Sequence, residues 1–368
     1  MSIHSIQCAL VRGGTTKGVF INSDQLPTDG KLRDQVLLAL FGSPDIRQIN
    51  GLGGGDPLTS KVALVSLSNE PGVDIEYQSG EVGIDEGVIN YSTMCGNLAS
   101  GVGIFALATG MIEANSQELK VRIRNINTGK LLEALIPIGA NNAVPCANCE
   151  GVDGIKGGGT EIKLTFIEPA GSITGKLLPT GNTTDDIKIG DCRYPCSIVD
   201  CGTLYAFFRA DNFGLTGSEL PDALDGHTSF RHLVENLREH VAQLISSVNL
   251  KTFSERHIKI AIFSDLTAGH EGCTEICARV INRYKTHRAF PVTGAICMSA
   301  ANAIPGTLLH LDNHYSPAVQ AVTIHHPAGS ICTTSQCVKR NEKIDVSYTT
   351  VNRSARILLS GTAYCFTE

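Results

Sequence analysis

Short runs in which apolar and polar residues alternate outnumber helical patterns along this chain. KVALVSLS and VDIEYQSGEVGI read as strands with a Ser/Asn/Pro/Gly turn between them. Residues 5–11 and 18–21 read as strands flanking the turn RGGTTKG. VRIRNINTGKLLEALIPIG predicts a hairpin turning at Asn127-Thr128-Gly129, and TEIKLTFIEP a further strand. In the second half CSIVDCGTLYAFFRA, HIKIAIFSDL, CTEICARVIN, AVQAVTIHH, SICTTSQCV, KIDVSYTTV and ARILLSGTAYCF all carry strand patterns.

Helical spacing is confined to a few segments. Residues 31–41 place Leu32, Val36, Leu37, Leu40 and Phe41 on one face, and Gly42 ends the run. Thr228–Ser247 is amphipathic, with Phe230, Leu233, Leu237, Val241, Leu244 and Ile245 on its apolar face. Cys95–Ile112 and Thr293–Ala303 are different: small residues, almost no charge and no polar face, the pattern of a buried helix. The surrounding uncharged stretches, Val88–Ile112 and Ala289–Leu311, are long enough to check as membrane spans. Their Gly, Asn and Pro content favours buried helices of a soluble protein. Each half thus holds several strands and one central helix, with a weak internal likeness between CGNLASGVGIFALATG and VTGAICMSAANAIPG. The Pro/Gly/Thr/Asp-rich segment Gly171–Asp191 is the expected junction between halves.

Composition narrows the function classes. A chain of 368 residues is about two domains. Its formal charge is −6 and no long basic run exists, which argues against nucleic acid and anionic membrane as partners. Trp is absent and aromatics are 5%, so an aromatic sugar or base platform is not expected. The start MSIHSIQCALVRGGTTKGVF has no signal-peptide pattern, and a cytoplasmic location follows as the expectation. The thirteen cysteines are then reduced thiols by default. Three close pairs occur: Cys146/Cys149, Cys192/Cys196 and Cys273/Cys277. Cys192, Cys196 or Cys201 could complete a zinc site with the first pair, but no spacing enforces it. Buried or incidental thiols are the favoured reading, and neither metal nor cofactor is expected.

Four segments carry candidate chemistry. Arg12-Gly13-Gly14-Thr15-Thr16-Lys17-Gly18 is a turn that reads equally as structural or as an anion site built from backbone N–H groups and Arg12. GLGGGDPLTSK brings Thr59, Ser60 and Lys61 to a strand start after four glycines; Lys61 is either solvated or a base or charge partner. Met94-Cys95-Gly96-Asn97 opens the first buried helix; Cys95 reads first as a capping or buried thiol, and otherwise as a thiolate favoured by the helix N-terminus. Pro291-Val292-Thr293-Gly294-Ala295 opens the second and suits a carboxylate, with His287 and Arg288 just upstream. His326-Pro327-Ala328-Gly329 is a further turn; each of these histidines reads first as a hydrogen-bonded structural residue.

Together these segments resemble the isomerases related to 2-methylaconitate isomerase, 3-methylitaconate Δ-isomerase, 4-oxalomesaconate tautomerase and aconitate Δ-isomerase. The likeness runs from RGGTTKG through GSPDIRQINGLGGGDPLTSKVALV, CGNLASGVGIFA, VRIRNINTG, GKLLPTGN, HRAFPVTGA and HHPAG to NRSARILLSGTAYC. It implies an α+β, diaminopimelate-epimerase-like fold of two pseudo-repeated, strand-rich barrels, each around a central helix. The expected domains are 1–185 with 350–368, and 190–345, with the site in the cleft between them.

The resemblance also implies cofactor-independent proton transfer, with Lys61 and Cys95 as the catalytic pair. Substrate contacts are expected from Arg12, Gly13, Thr15, Thr16, Lys17, Ser60, Gly96, Asn97, Arg288, Thr293, Gly294, Ala295 and His326. Amino-acid epimerases of this fold use a second cysteine, which would fall near Pro291, so two-thiol racemisation is disfavoured; Cys297 lies too far inside the helix. Thr15-Thr16-Lys17 stands where relatives often have Thr-Ser-Lys, and Ala328 where serine is common. The expected substrate is an unsaturated di- or tricarboxylate of aconitate type. A keto–enol tautomerase, a methylitaconate isomerase and a non-catalytic polycarboxylate- or metal-binding protein are the alternatives. A homodimer is compatible with all of them.

Overall fold

The computed structural model describes residues 2–139, 151–249, 255–265, 273–283, 285–310, 316–340 and 343–367. Cys146 and Cys149 lie outside these residues. The chain divides into two compact units, one of residues 1–164 with 352–368 and one of 165–351. The first change of unit therefore precedes Gly171–Asp191, where composition suggested a junction. That segment belongs to the second unit because Asp200 ties it down. The Asp200 carboxylate accepts from Ile173 N at 2.9 Å and from Thr174 Oγ1 at 2.8 Å, and its carbonyl accepts from Gly171 N at 2.7 Å.

The first unit contains β1 (Ser2–Gly13), β2 (Thr16–Asn22), α1 (Gly30–Phe41), β3 (Lys61–Leu67), β4 (Ile75–Val82), β5 (Ile89–Asn90), α2 (Gly96–Ala108), β6 (Glu118–Asn125) and β7 (Leu131–Pro137). It also holds most of β8 (Thr160–Ile167). Pairing alternates: β1 and β2 antiparallel, β2 and β3 parallel, β3 and β4 antiparallel, β4 and β6 parallel, β6 and β7 antiparallel. A parallel step needs a crossover, and α1 and α2 lie in those two connections.

The second unit comprises β9 (Asp185–Ile189), β10 (Cys192–Asp200), β11 (Leu204–Arg209), α3 (Pro221–Gly226), α4 (Thr228–Asn249), β12 (Lys259–Asp265), β13 (Cys273–Ile281), α5 (Val292–Asn302), β14 (Gln320–His326) and β15 (Gly329–Arg340). It repeats the alternation: β10 with β11 antiparallel, β11 with β12 parallel, β12 with β13 antiparallel, β13 with β14 parallel, β14 with β15 antiparallel. The internal repeat, faint in the residues, is plain in the topology.

The chain ends in β16 (Lys343–Thr367), one strand of 25 residues where the residue pattern suggested two. The intervening Asn352-Arg353-Ser354 has no Gly or Pro to turn the chain. Its first part pairs with β15 and its last part with β1, from Gly13 opposite Ala355 to Ser2 opposite Thr367.

Helix α1 starts where Asp29 Oδ1 accepts from Leu32 N at 2.8 Å and stops at Gly42, whose φ of 70° suits glycine. It buries Val36, Leu37, Leu40 and Phe41, but Leu32 is exposed. In α4 the buried line is Phe230, Val234, Leu237, Val241 and Ile245; Leu233 and Leu244 only flank it. Helix α2 is shorter than its uncharged stretch, since Thr109 Oγ1 folds back to Phe105 O at 2.8 Å. Small residues set how closely strands approach it. A Cβ on Gly101 would lie 2.9 Å from Phe20 and Val11 side-chain atoms, and one on Gly103 would lie 2.4 Å from Ile136 Cδ1. Among the described residues no helix is long and apolar enough to cross a membrane.

Candidate active site

In the first unit, β3, β4 and the start of α2 bring the titratable groups together. Lys61 is the first residue of β3 and sits directly across from Glu81 on β4. Lys61 Nζ donates to Glu81 Oε2 at 3.1 Å; the lysine side chain is 13% exposed and the glutamate 46%. Burial alone would lower the Lys61 ammonium. Glu81 foremost, then Cys95 and Asp56, more than offset this, and the net shift is upward. Lys61 is therefore a cation at neutral pH. Ser60 is fully buried, accepting from Gln48 Nε2 at 2.8 Å and donating to Val82 O at 3.1 Å, so it anchors the approach to Lys61.

Cys95 caps α2 with extended backbone and makes no side-chain capping bond. Its main chain is held on both sides. Cys95 N donates to Ser79 Oγ at 2.9 Å, and Cys95 O accepts from Tyr77 OH at 3.0 Å. Burial first, and the neighbouring Cys95 second, push the Tyr77 phenol well above its usual value, so it stays a donor. Sγ of Cys95 is left as the atom free to do chemistry, half-buried and in electrostatic reach of Lys61.

The glycine turn packs on this helix start. Asn97 Nδ2 donates to Thr15 Oγ1 at 3.0 Å and approaches Thr16 Oγ1 at 3.4 Å. Close approach is the reason for the glycines: a Cβ on Gly13 would lie 2.2 Å from Asn97 O, and one on Gly14 would lie 2.1 Å from Asn97 Oδ1. Gly96 is buried in the first turn of the helix. Lys17 is half-buried and its N–H donates to Leu58 O at 2.9 Å. Arg12 is spent within the protein. Its Nη1 donates to Gly14 O at 3.0 Å and to Ser354 O at 2.9 Å, and its Nη2 to Gly158 O at 3.2 Å. It braces the turn against β16.

In the second unit, Thr293, Gly294 and Ala295 form the first turn of α5, whose cap Pro291 offers no side-chain bond. A Cβ on Gly294 would lie 2.6 Å from Tyr205 OH. His326 is buried at the end of β14, and its Nδ1 accepts from Ala328 N at 3.2 Å. Arg288 does not join this group: its side chain is 68% exposed and pairs with Asp222 at 2.9 Å. Cys297 is buried and donates to Val199 O at 3.3 Å, and burial pushes its thiol up. Among the described residues, no three or more of His, Cys, Asp and Glu gather as a metal site would require. The eleven cysteines described are all free thiols.

The residue reading missed Glu81, Tyr77, Ser79 and Arg353. The alternation of VDIEYQSGEVGI placed Tyr77, Ser79 and Glu81 on one face of a strand, but only the register against β3 sets Glu81 opposite Lys61.

The family model described as PrpF protein matches residues 3–366. This chain belongs to the PrpF family. It is 33% identical to a 3-methylitaconate isomerase of Eubacterium barkeri over 98% of this chain and 97% of that one. It is 35% identical to a 4-oxalomesaconate tautomerase of Pseudomonas putida over 88% and 87% of the two chains. It is 32% identical to a 2-methyl-aconitate isomerase of Shewanella oneidensis over 97% and 96%. Members of the PrpF family are isomerases and tautomerases, and this chain is an enzyme of that class. The crystal structure of a methylitaconate-delta-isomerase superposes with a TM-score of 0.76 at 31% identity, covering 99% of this chain and 96% of that one. A hydroxyproline epimerase superposes at 0.56 with 15% identity, covering 98% and 92%, which shows the shared diaminopimelate-epimerase-like fold alone.

Proposed function

We propose that this PrpF-family isomerase moves a C=C bond in an unsaturated tricarboxylate of aconitate type, by allylic proton transfer between Cys95 and Lys61 and without a cofactor. The observation that supports it is the pairing of a lysine kept cationic by Glu81 with a cysteine whose backbone is fixed at a helix start. Lys61, kept protonated by Glu81, takes the part of the acid, and Cys95 that of the base.

Cys95 Sγ takes a proton from the carbon that is allylic to the alkene and next to a carboxylate. That C–H pair flows into a dienolate, whose charge the free N–H groups of the α2 start and the Lys61 ammonium stabilise. Lys61 then gives its proton to the far carbon, forming the new C–H bond. One proton has moved from lysine to thiol overall, and exchange through solvent resets the pair. Keto–enol tautomerisation uses the same two groups, and the 35% identity to a 4-oxalomesaconate tautomerase keeps it as the second reading.

Proton NMR in D₂O tests both. The protein is incubated separately with cis-aconitate, trans-aconitate, 2-methylaconitate, methylitaconate and oxalomesaconate. Deuterium at the allylic carbon of an aconitate, with a new alkene signal, is expected. Exchange confined to oxalomesaconate would replace the first reading by the second, and no exchange with any would remove both.

A further inference from the structure

Four arginines are buried among the described residues: Arg12, Arg238, Arg279 and Arg353. Three make hydrogen bonds within the protein. Arg12 reaches the carbonyls of Gly14, Ser354 and Gly158; Arg238 reaches Ile281 O and Glu235; Arg279 reaches the carbonyls of Glu219 and Ala278. Arg353 is the exception. It is 5% exposed, its Nε is buried with no hydrogen-bond partner, and it forms no ion pair among the described residues. Burial, only partly countered by the exposed Asp153, pulls its guanidinium down to about 10, so it still carries its charge at neutral pH. A buried cation with no hydrogen bond or ion pair among the described residues is costly to the fold.

Gly14 N and Arg12 both bond Ser354, the neighbour of Arg353, which fixes the β16 backbone at this point. The place where a Gly14 Cβ would stand is 3.5 Å from Arg353 Cδ and 2.1 Å from Asn97 Oδ1. Asn97 Oδ1 is itself buried without a partner. Two orphaned polar groups thus border one glycine, in the first turn of α2 and two residues from Cys95. The Thr15 and Thr16 hydroxyls can donate as well as accept, so rotating the Asn97 amide would aim its NH₂ at the same corner. A planar fork of donors beside a helix start matches a carboxylate.

We infer that Arg353, with Asn97 and the Gly13–Thr15 turn, binds a carboxylate of the substrate distant from the migrating double bond. Which carboxylate it is rests on the isomerase reading above; that an anion binds there does not. Arg353 thereby takes the part that the residue pattern gave to Arg12, while Arg12 holds the strand on which Arg353 stands.

The experiment uses tricarballylate, a saturated tricarboxylate that cannot isomerise, titrated calorimetrically into the full-length wild type, Arg353→Gln and Arg353→Lys. Binding to wild type, weakened about tenfold or more in Arg353→Gln and less in Arg353→Lys, is expected. Without ligand, Arg353→Gln should melt no lower than wild type, because it removes an uncompensated charge. Affinity within about twofold of wild type in Arg353→Gln, no binding to wild type, or a ligand-free melting point several degrees lower would each overturn the inference. If tricarballylate binds through Arg353 while no unsaturated acid exchanges deuterium, the anion site stands and the isomerase reading falls. If exchange occurs with KM unchanged in Arg353→Gln, the reverse holds.

Discussion

Helices α2 and α5 occupy equivalent places in the two units, each in the crossover between the second pair of parallel strands. Both are buried, and both start without a side-chain cap. Around the α2 start stand Lys61, Glu81, Tyr77 and Cys95, together with the unpartnered Asn97 Oδ1 and Arg353 Nε. Around the α5 start stand Pro291, Phe290 and the Tyr205 ring against Gly294; its cysteine lies deeper, bonded to Val199 O and held as a thiol. The duplicated topology supplies two helix starts suited to an anion. Among the described residues, only the α2 start sets a lysine beside a cysteine.

Substitutions can break or sharpen this contrast. The largest effect is expected from Cys95→Ala and Lys61→Ala, each lowering kcat by about 10²-fold or more with melting curves near wild type. Cys297→Ala, the matching change in the other helix, should retain turnover and cost about 1 kcal/mol of stability in urea unfolding. Near-equal losses of turnover at Cys95 and Cys297 would erase the difference between the helices. Gly14→Ala comes next: its φ of 50° and the 2.1 Å approach to Asn97 Oδ1 predict lost activity and a stability cost of at least about 1 kcal/mol.

Glu81→Gln should act through pH. Glu81 holds Lys61 up, so its loss lowers the lysine and moves the alkaline limb of the kcat profile to lower pH. The stability consequence has a definite sign as well. A lysine raised by folding stabilises the protein below its ordinary value, and this is lost as pH rises through the raised one. The wild-type advantage over Glu81→Gln should therefore be constant at neutral pH and vanish in strong alkali, as followed by denaturant midpoints. An unmoved alkaline limb would remove Lys61 as the acid. Smallest is Tyr77→Phe, which deletes one bond to Cys95 O and should cost about 1 kcal/mol.

Residue patterns reveal most of the strands and the four longer helices, and they single out Lys61 and Cys95 separately as candidates, because local periodicity and short motifs carry those. They misplace Leu32, which sits at the margin of an apolar stripe where packing on the sheet decides burial. They divide β16, since nothing local says that a strand changing partners continues unbroken. Arg12 and Arg353 illustrate the harder limit. An arginine in a glycine turn looks like an anion ligand, and one in NRSARILL, between two expected strands, carries no local sign of a role.

The sequence by itself determined the alternation of strands with two small-residue helices, and a lysine and a cysteine at element starts. Those follow from side-chain size, polarity and spacing over a few residues. Tertiary structure alone decided that Glu81 holds Lys61, that Tyr77 and Ser79 fix Cys95, and that Arg12 is consumed while Arg353 is left over. Each of these depends on register between strands distant in the chain, and a shift of one residue would turn the same side chains to the opposite face.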